Sequence, residues 1–179
     1  LLLTNAKIMQ AVLEDIKKYA PNSKIIIVSN PLDAMVYAAL KILKFPREQV
    51  IGMAGILDSA RMSHFICEKL GYGAGQIESS VMGGHGDAMV PLVNYSTVAG
   101  VSLPELLSKE DIEDIVTKTK NGGLQIVKLL ETGSAYYAPA HATSLMVEAI
   151  LYNNKKIYPC SVMLDGEYDC KNVVSGVPV

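Results

Sequence analysis

The chain has 179 residues, enough for one large or two small domains, and half of them are hydrophobic. Its formal net charge is -2 with both signs interspersed, which gives no support to nucleic-acid binding through a basic patch. The longest apolar runs, such as Ile25–Val28, are far shorter than the roughly 20 residues of a membrane span, and no basic segment precedes the apolar residues of a signal sequence.

Residues 1–20 carry Ile8, Val12 and Ile16 at helical spacing, with Met9 and Leu13 beside them, and predict an amphipathic helix closed by Pro21-Asn22-Ser23. Lys24–Ser29 is a β-branched run that is apolar on both faces, as in a buried parallel strand. Asn30-Pro31 ends it, and Leu32–Leu43 predicts a helix. Gln49–Met53 predicts a second strand. This alternation belongs to a doubly wound α/β sheet.

The pattern changes after Gly55, where a domain boundary is expected. Asp58–Leu70 predicts a helix stopped by Gly71, and Gln76–Met82 and Met89–Tyr95 predict strands around a glycine-rich loop. Glu110–Leu130 predicts a long helix kinked at Gly122-Gly123. Tyr136–Tyr152 predicts another, with Pro139 in its first turn. Lys156–Leu164 and Tyr168–Val174 predict a hairpin about Asp165-Gly166. No glycine-rich phosphate loop is found; Gly71–Gly75 follows a helix and lacks the strand-turn-helix setting.

Four residues attract attention as chemistry. His85 lies in Gly83-Gly84-His85-Gly86-Asp87, where flanking glycines allow unusual backbone angles and close approach of a ligand. A surface turn accounts for such a loop equally well. Asp58 and Arg61 share one side of a helix start. An arginine fork can grip a carboxylate and an aspartate can hold a histidine tautomer; the alternative is a helix cap beside a solvated arginine. Asn30 stands at the carboxyl end of a strand, where open α/β sheets bind ligands, or simply in an Asn-Pro turn. His64 and His141 fall in predicted helices with no such setting. No metal is expected, because no ligand-spaced cluster occurs. Cys67, Cys160 and Cys170 form no CxxC pair and are expected as reduced thiols; a Cys160–Cys170 pair across the hairpin stays open.

Val28-Ser29-Asn30-Pro31-Leu32-Asp33, then Gly52–Arg61, then Gly83–Asp87, in that order and with those gaps, resemble the malate/lactate dehydrogenase family over essentially the whole chain. The resemblance implies the end of a Rossmann-type, NAD-binding domain over 1–55 and an α+β catalytic domain over 56–179. It implies His85 as proton donor and acceptor, Asp58 as its carboxylate partner, Arg61 as the clamp on a substrate carboxylate and Asn30 as a contact of the substrate oxygen. Asn5, Val28, Ser29 and Asn30 match cofactor-contacting positions. NAD is the implied cofactor, a small hydroxy acid the substrate, and a homo-oligomer, dimer or tetramer, the assembly; the cytoplasm is expected from the reduced thiols. Met53–Asp58, Gly84–Pro91 and Gly133–Tyr137, with its small Ala135, resemble the malate-using enzymes of the lactate-dehydrogenase-like branch. Lactate use and a non-catalytic fragment are the alternatives. The family's phosphate loop, its mobile specificity loop and its C-terminal helix are expected to lie outside these residues.

Overall fold

A computed structural model describes residues 1–179. Helix α1 (Leu2–Tyr19) leads to strand β1 (Ile25–Ile27), helix α2 (Leu32–Leu43) and strand β2 (Val50–Gly52). β1 and β2 pair in parallel, with Ile25 opposite Val50 and Ile27 opposite Gly52. Lys44, at the end of α2, takes the left-handed conformation, and its N–H closes on the Leu40 carbonyl. Met9, Leu13, Met35, Val36, Ala39, Leu43 and Val50 pack together as the first core. The predicted stripe on α1 is turned by about one residue: Met9 and Leu13 are buried, whereas Ile8 and Val12 are exposed. The pair that faces α2 excludes water, and Ile8 and Val12 line an open groove with Ile25–Ser29.

Helix α3 (Gly55–Leu70) begins three residues before the predicted start, because the Asp58 N–H already bonds the Ala54 carbonyl. Asp58 is therefore inside the helix and is not its cap. The predicted strand 76–82 divides into β3 (Ile77–Glu78) and β4 (Val81–Gly83), which join different sheets. β5 (Met89–Pro91) pairs with β4, and a 3-10 turn at Val93–Tyr95 ends the second predicted strand early. The hairpin β6 (Thr97–Val98) and β7 (Val101–Ser102), and the short helix α4 (Leu103–Leu106), were not foreseen; two-residue strands leave no periodic signal. Helix α5 (Lys109–Leu130) is capped by the Ser108 hydroxyl and continues as one helix through Gly122-Gly123. Helix α6 (Tyr137–Tyr152) follows, with Pro139 in its first turn as expected.

β8 (Pro159–Asp165) and β9 (Lys171–Pro178) form the predicted hairpin, but its connection is wider than a two-residue turn. Gly166 takes φ +121°, and a 3-10 turn at Glu167–Asp169 follows. The register sets Cys160 opposite Val177 and Asp165 opposite Lys171. Cys160 and Cys170 therefore sit at opposite ends of the hairpin, and all three cysteines are free. Burial pushes the Cys160 thiol up to about 12, which leaves it protonated at neutral pH.

The larger sheet has the order β1-β2-β8-β9-β4-β5, and a second sheet the order β3-β6-β7. β9 meets β4 where Gly176 faces Gly83; a Cβ at Gly176 would stand 2.6 Å from the Gly83 carbonyl oxygen. Only bare backbone allows this approach, which holds the base of the Gly83–Ala88 loop against the sheet. Two further cores flank α3. Met62, Ile66, Val81, Met89, Leu103 and Ile115 form one; Met53, Ile56, Leu57, Ala142, Met146 and Cys160 form the other.

Arg47 anchors the hairpin tip with a two-pronged grip on Glu167, at 2.7 and 3.0 Å, and a bond to the Met163 carbonyl. The guanidinium holds the Glu167 carboxyl down at about 2. A carboxyl lowered by folding adds stability that is complete above its ordinary value near 4.5 and is lost as pH falls toward 2. Glu167→Gln is accordingly expected to melt below the parent at pH 6, with the gap closing between pH 5 and 2. Thermal melts across that range check it, and a gap independent of pH would contradict it.

Candidate active site

The candidate site lies at the carboxyl ends of β1 and β2, the crevice position of open α/β sheets. Beyond β1 the chain runs through Val28, Ser29 and Asn30 into the cis Asn30-Pro31 peptide and α2. Beyond β2 it passes Met53-Ala54 into α3, which carries Asp58 and Arg61 one turn apart. The β4–β5 loop brings His85 over both. Val28, Asn30, Met53, Leu57, Arg61 and His85 line one cleft of about 280 Å³, together with Gly123 and Val127 of α5, Ser134 and Ala135 of the α5–α6 connection and Pro139 in the first turn of α6.

Asp58 is the hub. It is 1 % exposed, and one carboxylate oxygen lies 2.8 Å from His85 Nδ1. The other accepts from Arg61 Nη1 at 3.2 Å. A buried carboxylate needs such partners, because an uncompensated charge in the interior is costly. It also settles the imidazole: an Nδ1–H donated to a carboxylate leaves Nε2 as the nitrogen free to face a ligand. Asp87, close in sequence, is exposed. The carboxylate partner comes from 27 residues upstream instead.

Arg61 occupies a slot built by the α5 glycines. A Cβ at Gly122 would stand 3.2 Å from Arg61 Cδ, and one at Gly123 3.3 Å from Nη2. The two glycines make room for a guanidinium, which is the physical reason for a pair that suggested a kink. The Nε of Arg61 is buried without an acceptor, an unusual state for a buried donor.

The loop itself is shaped by Gly83, at φ +82°, where a Cβ would stand 2.6 Å from the Ala88 carbonyl oxygen. His85 contributes its own backbone N–H to Asp33 Oδ2 at 2.9 Å. Asn30 is an exposed residue of the cleft lining, and its carbonyl accepts from the Asn5 side chain at 2.6 Å. Asn5 thus reaches the β1–α2 turn from α1 without lining the cleft. Ser29 is exposed on the same turn and lines the neighbouring groove. His64 and His141 are exposed on α3 and α6 and stand outside the cleft. Asp33, Ser134 and Val127 are not among the residues that the sequence singles out by type and setting; Asp33 falls in the Val28–Asp33 segment, but its partners lie far along the chain.

A parallel strand pair with a crevice at its carboxyl end, an α+β region beside it and an imidazole–carboxylate–guanidinium chain between them define an α/β protein with a ligand cleft of the open-sheet kind. Residues 1–52 match the NAD-binding domain of lactate/malate dehydrogenase, and residues 56–179 match its α/β C-terminal domain. The chain belongs to the lactate/malate dehydrogenase family. It is 64% identical to a malate dehydrogenase of Aliarcobacter butzleri over 179 residues, all of this chain and 57% of that protein. It therefore spans little more than half the length of the curated relatives it matches. A malate dehydrogenase structure from Cryptosporidium parvum superposes with a TM-score of 0.98 at 42% identity, covering all of this chain and 59% of that one. A lactate dehydrogenase from Eimeria maxima, solved with NADH and oxamate, superposes at 0.93 and 43% identity, covering 99% and 57%.

Proposed function

We propose that the chain provides the proton-transfer and carboxylate-binding machinery of an NAD-dependent dehydrogenase that interconverts (S)-malate and oxaloacetate. The observation that carries this is the bond of 2.8 Å between His85 Nδ1 and the buried Asp58 carboxylate, with Arg61 on the opposite oxygen. In the reductive direction Nε2 of protonated His85 gives its proton to the keto oxygen, and in the oxidative direction it takes the hydroxyl proton back. Asp58 keeps the ring in one tautomer and offsets the charge of the imidazolium. The Asn30 amide donates to the same oxygen. Arg61 holds the carboxylate beside the reacting carbon through two N–H donors.

The residues present suit a dinucleotide. Val28 is 42% exposed at the mouth of the cleft, an apolar side chain standing where a flat ring could cover it. The same residue borders an adjoining apolar pocket with Ala135, Tyr136 and Pro139. Val28, Ser29 and Asn30, with Asn5 behind their turn, are the residues that would hold the cofactor. When bound, NADH supplies the hydride and NAD accepts it.

Malate is favoured over lactate by the 64% identity to malate dehydrogenases, and small Ala135 and Ser134 leave the cleft open beside Gly123. Solved neighbours of both kinds share the fold, so architecture does not separate the two substrates. Steady-state rates of the full-length protein with NADH test the choice. The expected result is kcat/KM for oxaloacetate about 10²-fold or more above that for pyruvate; equal or reversed values would overturn it. Residues 1–55 and 56–179 are proposed as the nucleotide-side and substrate-side segments. Unpaired thiols at all three cysteines favour a reducing, cytoplasmic setting. Exposed Ile150, Leu151 and Tyr152 on α6 favour a homo-oligomer.

The Arg61 slot yields a separate prediction. Gly123→Ala replaces a mid-helix glycine, which alone favours the helix by up to about 1 kcal/mol. Its Cβ would press on Nη2 at 3.3 Å and displace the carboxylate clamp. The expected result is an unchanged or raised Tm with KM for oxaloacetate raised about tenfold. An unchanged KM would show that the slot does not position Arg61.

A further inference from the structure

We infer that Asp33 is a positioning residue that sets His85 against Asn30 through a carboxylate bridge to Ser161; this rests on the proposed role of His85. Asp33 lies in the first turn of α2, three residues after Asn30. One of its oxygens, Oδ2, accepts the His85 backbone N–H at 2.9 Å. The other, Oδ1, accepts the Ser161 hydroxyl at 2.6 Å. Ser161 is fully buried on β8 and stands opposite Gly52 in one register and Gly176 in the other. The bridge therefore ties three separate stretches of chain: the β1–α2 turn, the β8 strand and the histidine loop.

The geometry has a functional consequence because two of these stretches carry groups that address one substrate oxygen. Asp58 holds the ring of His85 from α3, but a ring bond alone leaves the backbone of His85 free to shift about the side-chain torsions. A second bond at the backbone N–H of the same residue removes that freedom. Because Asp33 belongs to the same turn as Asn30, the bond indexes the histidine to the asparagine and not merely to the sheet. Gly84 leaves the space that this requires: a Cβ there would lie 3.3 Å from Asp33 Oδ2. Proton transfer and hydrogen bonding to a shared oxygen are steep functions of distance, and a misplacement near 1 Å can cost about 10²-fold in rate.

The test uses the full-length protein with oxaloacetate and NADH, comparing Asp33→Ala, Asp33→Asn and Ser161→Ala, with His85→Asn as reference. Asp33→Ala removes both bonds and is expected to lower kcat about 10²-fold, with KM within about threefold of the parent and NADH affinity, read by fluorescence titration, within about twofold, since neither the clamp nor the cofactor positions are touched. Asp33→Asn is expected to stay within about threefold of parent kcat: its amide oxygen can accept from His85, and its NH2 can donate to the Ser161 hydroxyl oxygen. Ser161→Ala loosens one end and is expected to cost about tenfold in kcat. An Asp33→Ala enzyme with kcat within about twofold of the parent overturns the inference, and so does an Asn variant as impaired as the Ala variant. If Asp33→Ala does not fold, Ser161→Ala decides: a tenfold loss supports the bridge and parent kcat overturns it. Should His85→Asn retain turnover, the reading of the cleft fails as a whole. If that variant is inactive while Asp33→Ala is not, only the positioning role falls.

Discussion

Replacing His85 by asparagine is expected to lower kcat for oxaloacetate reduction about 10³- to 10⁴-fold, the upper part of what a positioned acid–base group contributes, while NADH affinity stays near that of the parent. Asparagine retains a hydrogen-bonding amide but has no proton to give at neutral pH. It also has no second nitrogen that could be presented to the cleft while the first remains on Asp58. The change should be local. The His85 side chain is 15% exposed, and Asp58 keeps Arg61 as a partner when the imidazole is gone. Loss of the imidazole–carboxylate bond should cost about 1–3 kcal/mol of stability, which a thermal melt will register as a modest fall in Tm with a cooperative transition. Turnover within tenfold of the parent would remove His85 from the proton step.

The sequence made some levels of this molecule legible and others not. α2 was predicted end to end, since Leu32, Met35, Val36, Ala39 and Leu43 keep one buried face between a proline and a left-handed terminus. β1 and β2 were visible as β-branched runs, because strands buried on both faces have no polar positions to confuse the pattern. The segments that failed depend on tertiary contact. Residues 76–82 looked like one strand because local composition says nothing of which sheet a strand joins. Gly122 and Gly123 gave no local sign of their packing role, because the side chain they accommodate belongs to a residue 61 positions upstream of Gly122. Among the candidate residues, His85, Asp58, Arg61 and Asn30 were found by residue type and setting, and the cleft brings them together except that Asp58 lies beneath its lining. Asp33 was invisible as a contributor, because an aspartate in the first turn of a helix is sufficiently explained by the helix dipole. Its bonds reach 52 and 128 residues ahead, and only the folded chain shows where those residues lie.

Arg61→Lys is expected to lower kcat/KM for oxaloacetate about 10²- to 10³-fold, mainly through KM, although the formal charge is unchanged. The physical difference is geometric. Arginine offers a planar fork that can meet both oxygens of a carboxylate, whereas lysine offers one point charge. Each charge-assisted bond lost is worth about 1.5–3 kcal/mol. In this cleft the fork is also held flat: Gly122 and Gly123 bound it on the α5 side, and Asp58 Oδ1 takes Nη1 at 3.2 Å. A shorter, flexible ammonium would be drawn toward Asp58, which is buried and negative, and away from the substrate. That competition converts a binding residue into an internal ion pair and should leave Tm within a few degrees of the parent. The substrate dependence makes the prediction sharp. Oxaloacetate and pyruvate share the carboxylate next to the keto carbon, so a clamp on that group should lose both to a similar degree, and the preference between them should survive the substitution. A variant whose preference shifts toward pyruvate by tenfold or more would assign Arg61 to the second carboxylate, and the roles around the cleft would have to be exchanged.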